Sequence, residues 1–120
     1  MNDNQAQLLD HYHDPRNFGK PNFKFTHTAK LSNLSCGDEI QVWLKVSLDN
    51  VVEEICFDGE GCSIAVGAAS LLFQEIKGKS INDLKNLNED FSLSLVGIPL
   101  TMTRIKCAVL SLEAFKKAIS

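Results

Sequence analysis

The chain has no C-x-x-C pair, no net positive charge, no internal repeat and no long apolar run. Without C-x-x-C pairs, a zinc ribbon is excluded. A formal charge of -3 argues against a general binder of phosphate backbones. The opening MNDNQAQLLD lacks both a basic start and an apolar stretch, so neither a secretory signal nor a membrane span is expected and the chain reads as cytoplasmic. Proline is scarce, at three residues, and two of them, Pro15 and Pro21, flank Gly19 in DPRNFGKPN. That segment cannot continue a helix and is expected to be a mobile connection.

What is present is ordinary globular composition, 44% hydrophobic and 22% charged, over 120 residues. This length suits one domain, residues 1–120, with a core of moderate size. Residues 4–13 have the makings of a short helix. From Ile40 to Leu48 apolar and other residues alternate, with Ile40, Val42, Leu44, Val46 and Leu48 on one face, the period of a half-buried strand. Asp49 and Asn50 supply a turn, and VVEEICF returns with Val51, Ile55 and Phe57 in phase. An earlier strand is expected around FKFTHTAKL, with Phe23, Phe25 and His27 on one face. After DGEG the period changes to that of a helix, with Ala65, Ala68, Ala69, Leu72 and Ile76 on one side and Gly78 placed to end it. Ser80 is placed to cap a short helix over INDLKNL, and a last helix is expected from near Arg104 to Ala118. Strands first and helices later predict an α+β fold, a small antiparallel three-stranded sheet with helices packed on one face.

Four cysteines in a reducing compartment are more often metal ligands or reactive thiols than disulfides. Cys36 precedes a strand, Cys62 sits at a strand-to-helix junction, and Cys107 is expected at the start of the last helix beside Arg104 and Lys106. Helix N-termini and neighbouring cations suit a thiol to metal binding or reaction. Taken alone, these three serve equally well as small buried apolar residues. Cys56, inside a strand, reads as packing. Asp38, two residues after Cys36, sets a hard carboxylate beside a soft thiol.

Four ordered blocks settle between these readings: DHYHDPRNFGKP, CGDEIQVWLKV, FDGEGCSIAVGAASLL followed by IKGKS, and RIKCAVLSLEAF. Together they resemble the U-type iron–sulfur scaffold family, which includes IscU, SufU and the N-terminal domain of NifU. The resemblance implies that Cys36, Cys62 and Cys107 bind a transient [2Fe–2S] cluster, or zinc in its absence, with Asp38 as the oxygen member of the site. It implies sulfur supply from a cysteine desulfurase, delivery to recipient apo-proteins, and a scaffold rather than an enzyme. Homo-oligomers are a further possibility within the family.

Thiolates suit zinc and iron–sulfur clusters, and three sulfurs with one oxygen complete a tetrahedral set. An oxygen ligand keeps the site exchangeable, and Gly37 lets the chain turn between Cys36 and Asp38. Lys106 stands where IscU proteins have a histidine, a SufU-like feature that gives Lys106 an expected supporting role. The stretch from Cys62 to Cys107 leaves no room for the insertion of about twenty residues that SufU proteins carry there. The expected helix N-terminus, Arg104 and Lys106, and the GIPLTMT loop before them point to Cys107 as the acceptor of persulfide sulfur; the resemblance to IscU agrees, while the resemblance to SufU implies Cys36 as the alternative acceptor. The alternative reading is a zinc-dependent sulfurtransferase that relays persulfide. His11 belongs to the first block, whereas His13 and His27 read as ordinary solvated imidazoles.

Overall fold

A computed structural model describes residues 2–34 and 37–120. The element order is α1 (Asp3–His13), β1 (His27–Asn33), β2 (Asp38–Val46), β3 (Val52–Glu60), α2 (Ser63–Ile76), α3 (Ile81–Leu84), α4 (Glu89–Val96) and α5 (Met102–Ile119). The strands form an antiparallel meander in the order β1-β2-β3. The expected fold class, a three-stranded antiparallel sheet with helices on one face, is therefore observed.

The alternating pattern of β2 explains which face is covered. Ile40, Val42 and Leu44 are fully buried and meet Ile55 and Phe57 of β3 and Ala29 of β1 beneath α2 and α5. Side chains on a strand point alternately to opposite faces, so this half of β2 faces the helices. A second, smaller cluster lies above α2, where Leu8 of α1, Ala68 and Leu71 of α2, Val96 of α4 and Ala108 of α5 meet. The helices thus form two tiers on the same side of the sheet. Sandwiched between them, α2 is buried from Ala65 through Phe73, which its run of small residues permits.

Several boundaries differ from the expectation. Leu48 is fully exposed, because a register irregularity at Lys45/Val46 ends β2 early and Ser47–Asn50 turn away, with Asn50 at φ 61°. The same irregularity puts Val52, rather than Val51, into the core opposite Val46. β1 begins at His27, and Phe25 lies outside it, exposed. The segment expected to be mobile is tied to the sheet: Phe57 N–H donates to Asn17 O at 2.9 Å and Gly19 N–H to Phe57 O at 2.8 Å. The Phe18 ring meets the Phe57 ring edge-on, 5.2 Å between centroids.

Helix α4 has no counterpart in the expectation. Asn88 caps it through Phe91 N–H, Glu89 and Asp90 lie in its first turn, and Gly97 in the left-handed region ends it. Ser80 caps α3 as expected.

Candidate metal centre

The site forms where the start of β2 meets the N-cap of α2 and the second turn of α5. Asp38 is the first residue of β2, paired with Asn33, and the turn before it needs Gly37 at φ 72°. The Asp38 carboxylate is 1% exposed. Its Oδ1 accepts a hydrogen bond from Cys62 N–H at 3.0 Å, tying the sheet to the start of α2. Gly61 makes this approach possible, since a Cβ there would sit 2.5 Å from Asp38 Oδ1.

Asp38 Oδ2 is buried and has no hydrogen-bond partner among the described residues. A buried carboxylate oxygen without a donor is costly unless a cation or a polar group completes it. Cys62 and Cys107 stand beside the same carboxylate: one ligand atom from each of Asp38, Cys62 and Cys107 lies within 4.8 Å of the other two. A carboxylate oxygen and two sulfurs at that spacing fit a soft divalent ion, for which zinc–sulfur distances near 2.3 Å are usual. Residues from a strand and two helices thus offer three of the four positions of a tetrahedron.

Cys62 is the N-cap of α2, partly exposed, and its side chain makes no capping bond, which leaves the sulfur available. Cys107 is 0% exposed. It is not at the start of the last helix: Thr101 caps α5 and Cys107 lies in its second turn. Its sulfur is 3.7 Å from Thr103 O, and Asn33 Nδ2 approaches it at 3.9 Å. Cys36 lies outside the described residues.

The two cations separate. Arg104, one turn before Cys107, interacts with the thiols of both Cys62 and Cys107, and these hold its guanidinium pKa above the usual value. Lys106 is exposed and lines a different feature, a groove of about 440 Å³ with Asn33, Glu89, Met102, Val109 and Glu113. The spacing of three residues between Arg104 and Cys107 on one helix was the signal that distinguished them.

The remaining candidates lie elsewhere. Cys56 packs on the outer sheet face opposite Trp43. Burial, with Asp58 and Glu54 nearby, pushes its thiol up to about 11. His11 is buried between α1 and α2 with Nδ1 2.7 Å from Ser70 Oγ, which also accepts from Arg16 N–H. His13 is exposed, and Thr26 Oγ1 lies 2.7 Å from His27 Nδ1.

A sequence profile described as the NifU-like N-terminal domain matches residues 3–120. This chain belongs to that family. It is 35% identical to the zinc-dependent sulfurtransferase SufU of Bacillus subtilis, over 94% of this chain and 86% of that protein. It is 32% identical to the iron–sulfur cluster assembly scaffold protein IscU of Buchnera aphidicola subsp. Acyrthosiphon pisum, over 95% of this chain and 90% of that protein. The fold is shared with a putative iron–sulfur cluster assembly scaffold protein of the SUF system from Fervidobacterium islandicum, at TM-score 0.78 and 19% identity, covering all of this chain and 96% of that one. The family places the chain among proteins of iron–sulfur cluster assembly. No helix among the described residues is long and apolar enough to cross a membrane.

Proposed function

We propose that this chain is an iron–sulfur assembly scaffold that takes sulfur from a cysteine desulfurase, holds a nascent [2Fe–2S] cluster on Cys36, Cys62 and Cys107 with Asp38 beside it, and passes it to apo-proteins. The observation that carries the reading is the buried Asp38 carboxylate, one oxygen of it without a partner, set with Cys62 and Cys107 so that one ligand atom of each lies within 4.8 Å of the others. In a cluster-free protein the same residues would hold zinc, which supplies charge neutralisation for the thiolates and the carboxylate. Asp38 contributes a hard oxygen to an otherwise soft set, which favours exchange over permanent retention.

Sulfur entry is a thiol–persulfide exchange. The acceptor thiolate attacks the outer sulfur of the desulfurase persulfide, a new S–S bond forms, the old one breaks, and the desulfurase cysteine leaves as thiolate with no net oxidation. Cys107 is the proposed acceptor, and sulfur reaches it past Cys62 and Arg104, the more exposed members of this corner. Conversion of that sulfur to sulfide consumes two electrons per atom from an external donor.

A second reading, a zinc-dependent persulfide relay, draws support from the 35% identity to SufU. Against it, that match runs over 130 positions whereas this chain has only 120 residues, so the relative carries residues without a counterpart here. Anaerobic incubation with ferrous iron, cysteine, a desulfurase and a thiol reductant tests the choice. The scaffold reading expects visible absorption of a [2Fe–2S] chromophore, with iron and sulfide in equal amounts. Persulfide on the protein without any chromophore would establish the relay instead.

A further inference from the structure

We propose that the pocket beside Gly61 is a seat for an arginine side chain of a partner polypeptide that docks over the Cys62 corner of the molecule. The proposed function enters only as the reason for a partner to come there. The pocket itself is lined by none of Asp38, Cys62 and Cys107. Its volume is about 390 Å³, and Tyr12, His13, Phe18, Glu60 and Gly61 are among the residues around it. That lies at the small end of ligand pockets and suits a guanidinium with part of its stem.

The aromatic walls are held from outside the pocket. Phe18 is 47% exposed although the backbone on either side of it is tied to β3, where Phe57 N–H donates to Asn17 O and Gly19 N–H to Phe57 O. Its ring rests edge-on against the Phe57 ring. Tyr12, 36% exposed near the end of α1, lies against His13 with 5.1 Å between ring centroids and a 57° tilt. A single exposed aromatic residue needs no explanation. Two of them, one on α1 and one on the connection after it, converge on one concavity. Aromatic faces attract a cation within about 6 Å of the ring centroid.

Charge selects the occupant. Glu60, the last residue of β3, adds an exposed carboxylate to the same pocket, and its side chain has no ion pair among the described residues. The neighbouring charges are already matched: Arg16 pairs with Asp10 at 2.7 Å, and Glu39, opposite Glu60 in the sheet, pairs with Lys30 at 2.8 Å. A guanidinium is planar, stacks on aromatic faces and offers paired N–H donors to a carboxylate, whereas an ammonium is a compact, strongly hydrated charge. Aromatic residues and arginine are also enriched together at protein interfaces. Gly61 directly precedes Cys62, so an arginine held here brings its chain to the edge of the thiol corner.

The test follows the amide NMR shifts of the chain at neutral pH during titration with N-acetyl-arginine amide, its neutral isostere N-acetyl-citrulline amide, and N-acetyl-lysine amide. Saturable shifts should centre on His13, Phe18, Gly59 and Gly61, with arginine binding about tenfold more tightly than citrulline and about threefold more tightly than lysine. Glu60→Gln and Tyr12→Leu should each keep the fold and weaken arginine binding about fivefold, the scale of one partly exposed ion pair or cation–ring contact. Glu113→Gln, a carboxylate in the other groove, should match the parent. Arginine shifts spread evenly over the acidic surface, an equal loss in Glu113→Gln, or binding by Glu60→Gln within about twofold of the parent would mean general charge and overturn the seat. Equal binding of citrulline would mean an uncharged occupant and equal binding of lysine an unselective one, and either removes the arginine assignment. The titration needs no metal, so its failure is distinct from a failure of cluster assembly. Arginine binding beside a chain that assembles no chromophore would count against the scaffold reading alone.

Discussion

Cys56 and Cys62 are close in sequence and occupy opposite chemical settings. Cys56 stands in mid-strand under Trp43, with Glu54 and Asp58 on its own strand raising the cost of a thiolate, and burial pushes it up to about 11. Cys62 stands at the positive end of α2, where one ligand atom each of Cys107 and the buried Asp38 lies within 4.8 Å of its own. Burial alone does not separate the two settings, since Cys107 is more buried than Cys56. What separates them is the sign of the surrounding charge and whether a buried polar atom is left without a donor.

The strongest way to break this comparison is to exchange the fates of the two settings. Cys62→Ser and Cys107→Ser are each expected to lower zinc uptake at least tenfold, because removing one thiolate from a four-ligand set leaves an incomplete tetrahedron. Cys56→Ser should bind zinc like the parent. Metal analysis after desalting decides the matter, and loss of zinc in Cys56→Ser with retention in Cys62→Ser would invert the assignment.

Persulfide mapping sharpens it next. After brief incubation with desulfurase and cysteine, added sulfur should appear on Cys107 and be absent from Cys56. Mass spectrometry of the parent, Cys36→Ser and Cys107→Ser separates the acceptors. Persulfide confined to Cys36 would favour the relay reading over the scaffold.

Asp38 allows a smaller and two-sided test. Because its Oδ1 holds Cys62 N–H, Asp38→Ala should destabilise the fold by about 1–2 kcal/mol, the scale of a lost helix cap. Because it removes the hard oxygen from the site, the same change should lengthen the lifetime of an assembled cluster in air several-fold. Chemical denaturation reads the first effect and decay of visible absorption the second. A shortened lifetime would show that Asp38 protects the cluster rather than keeping it exchangeable.

How much of this was legible in the sequence follows from range. The sheet was readable because Ile40, Val42 and Leu44 alternate cleanly, and α2 because its small and apolar residues recur with helical period. The shift at Lys45/Val46 was hidden, since both Val51 and Val52 are good strand residues and only the pairing of β2 with β3 chooses between them. Helix α4 was missed although Asn88, Glu89, Asp90 and Gly97 are start and stop signals; its short apolar set, Phe91, Leu95 and Val96, gives little periodicity. At the site, the motifs named Cys36, Asp38, Cys62 and Cys107, and gave a supporting role to Lys106 rather than Arg104. With α5 beginning at Met102, Arg104 falls on the Cys107 face three residues before it, and Lys106 lines the groove instead.

The smallest effect lies in the pH dependence of the two buried groups away from the metal centre, and their signs oppose. Cys56 titrates higher in the folded chain than the ordinary 9.0, at about 11, so its contribution to stability is complete below pH 9 and is lost as pH rises through 11. His11 is shifted down from 6.5, first by burial and then by Arg16, against the opposing pull of Asp10. The folded state therefore binds fewer protons at His11 than the unfolded state, and its contribution is complete above about pH 6.5 and falls as the solution is acidified. Melting temperature followed from pH 5 to 11 should trace a plateau between these limits. In Cys56→Ala the alkaline fall should be shallower than in the parent by roughly 2–4 °C, and in His11→Gln the acid fall should likewise be shallower than in the parent. Each variant is compared with the parent at every pH, so the constant cost of the substitution cancels and only the change of slope is read. An alkaline fall that is unchanged in Cys56→Ala would mean that the Cys56 thiol titrates normally, and the contrast with Cys62 would then have to rest on access to the metal centre alone.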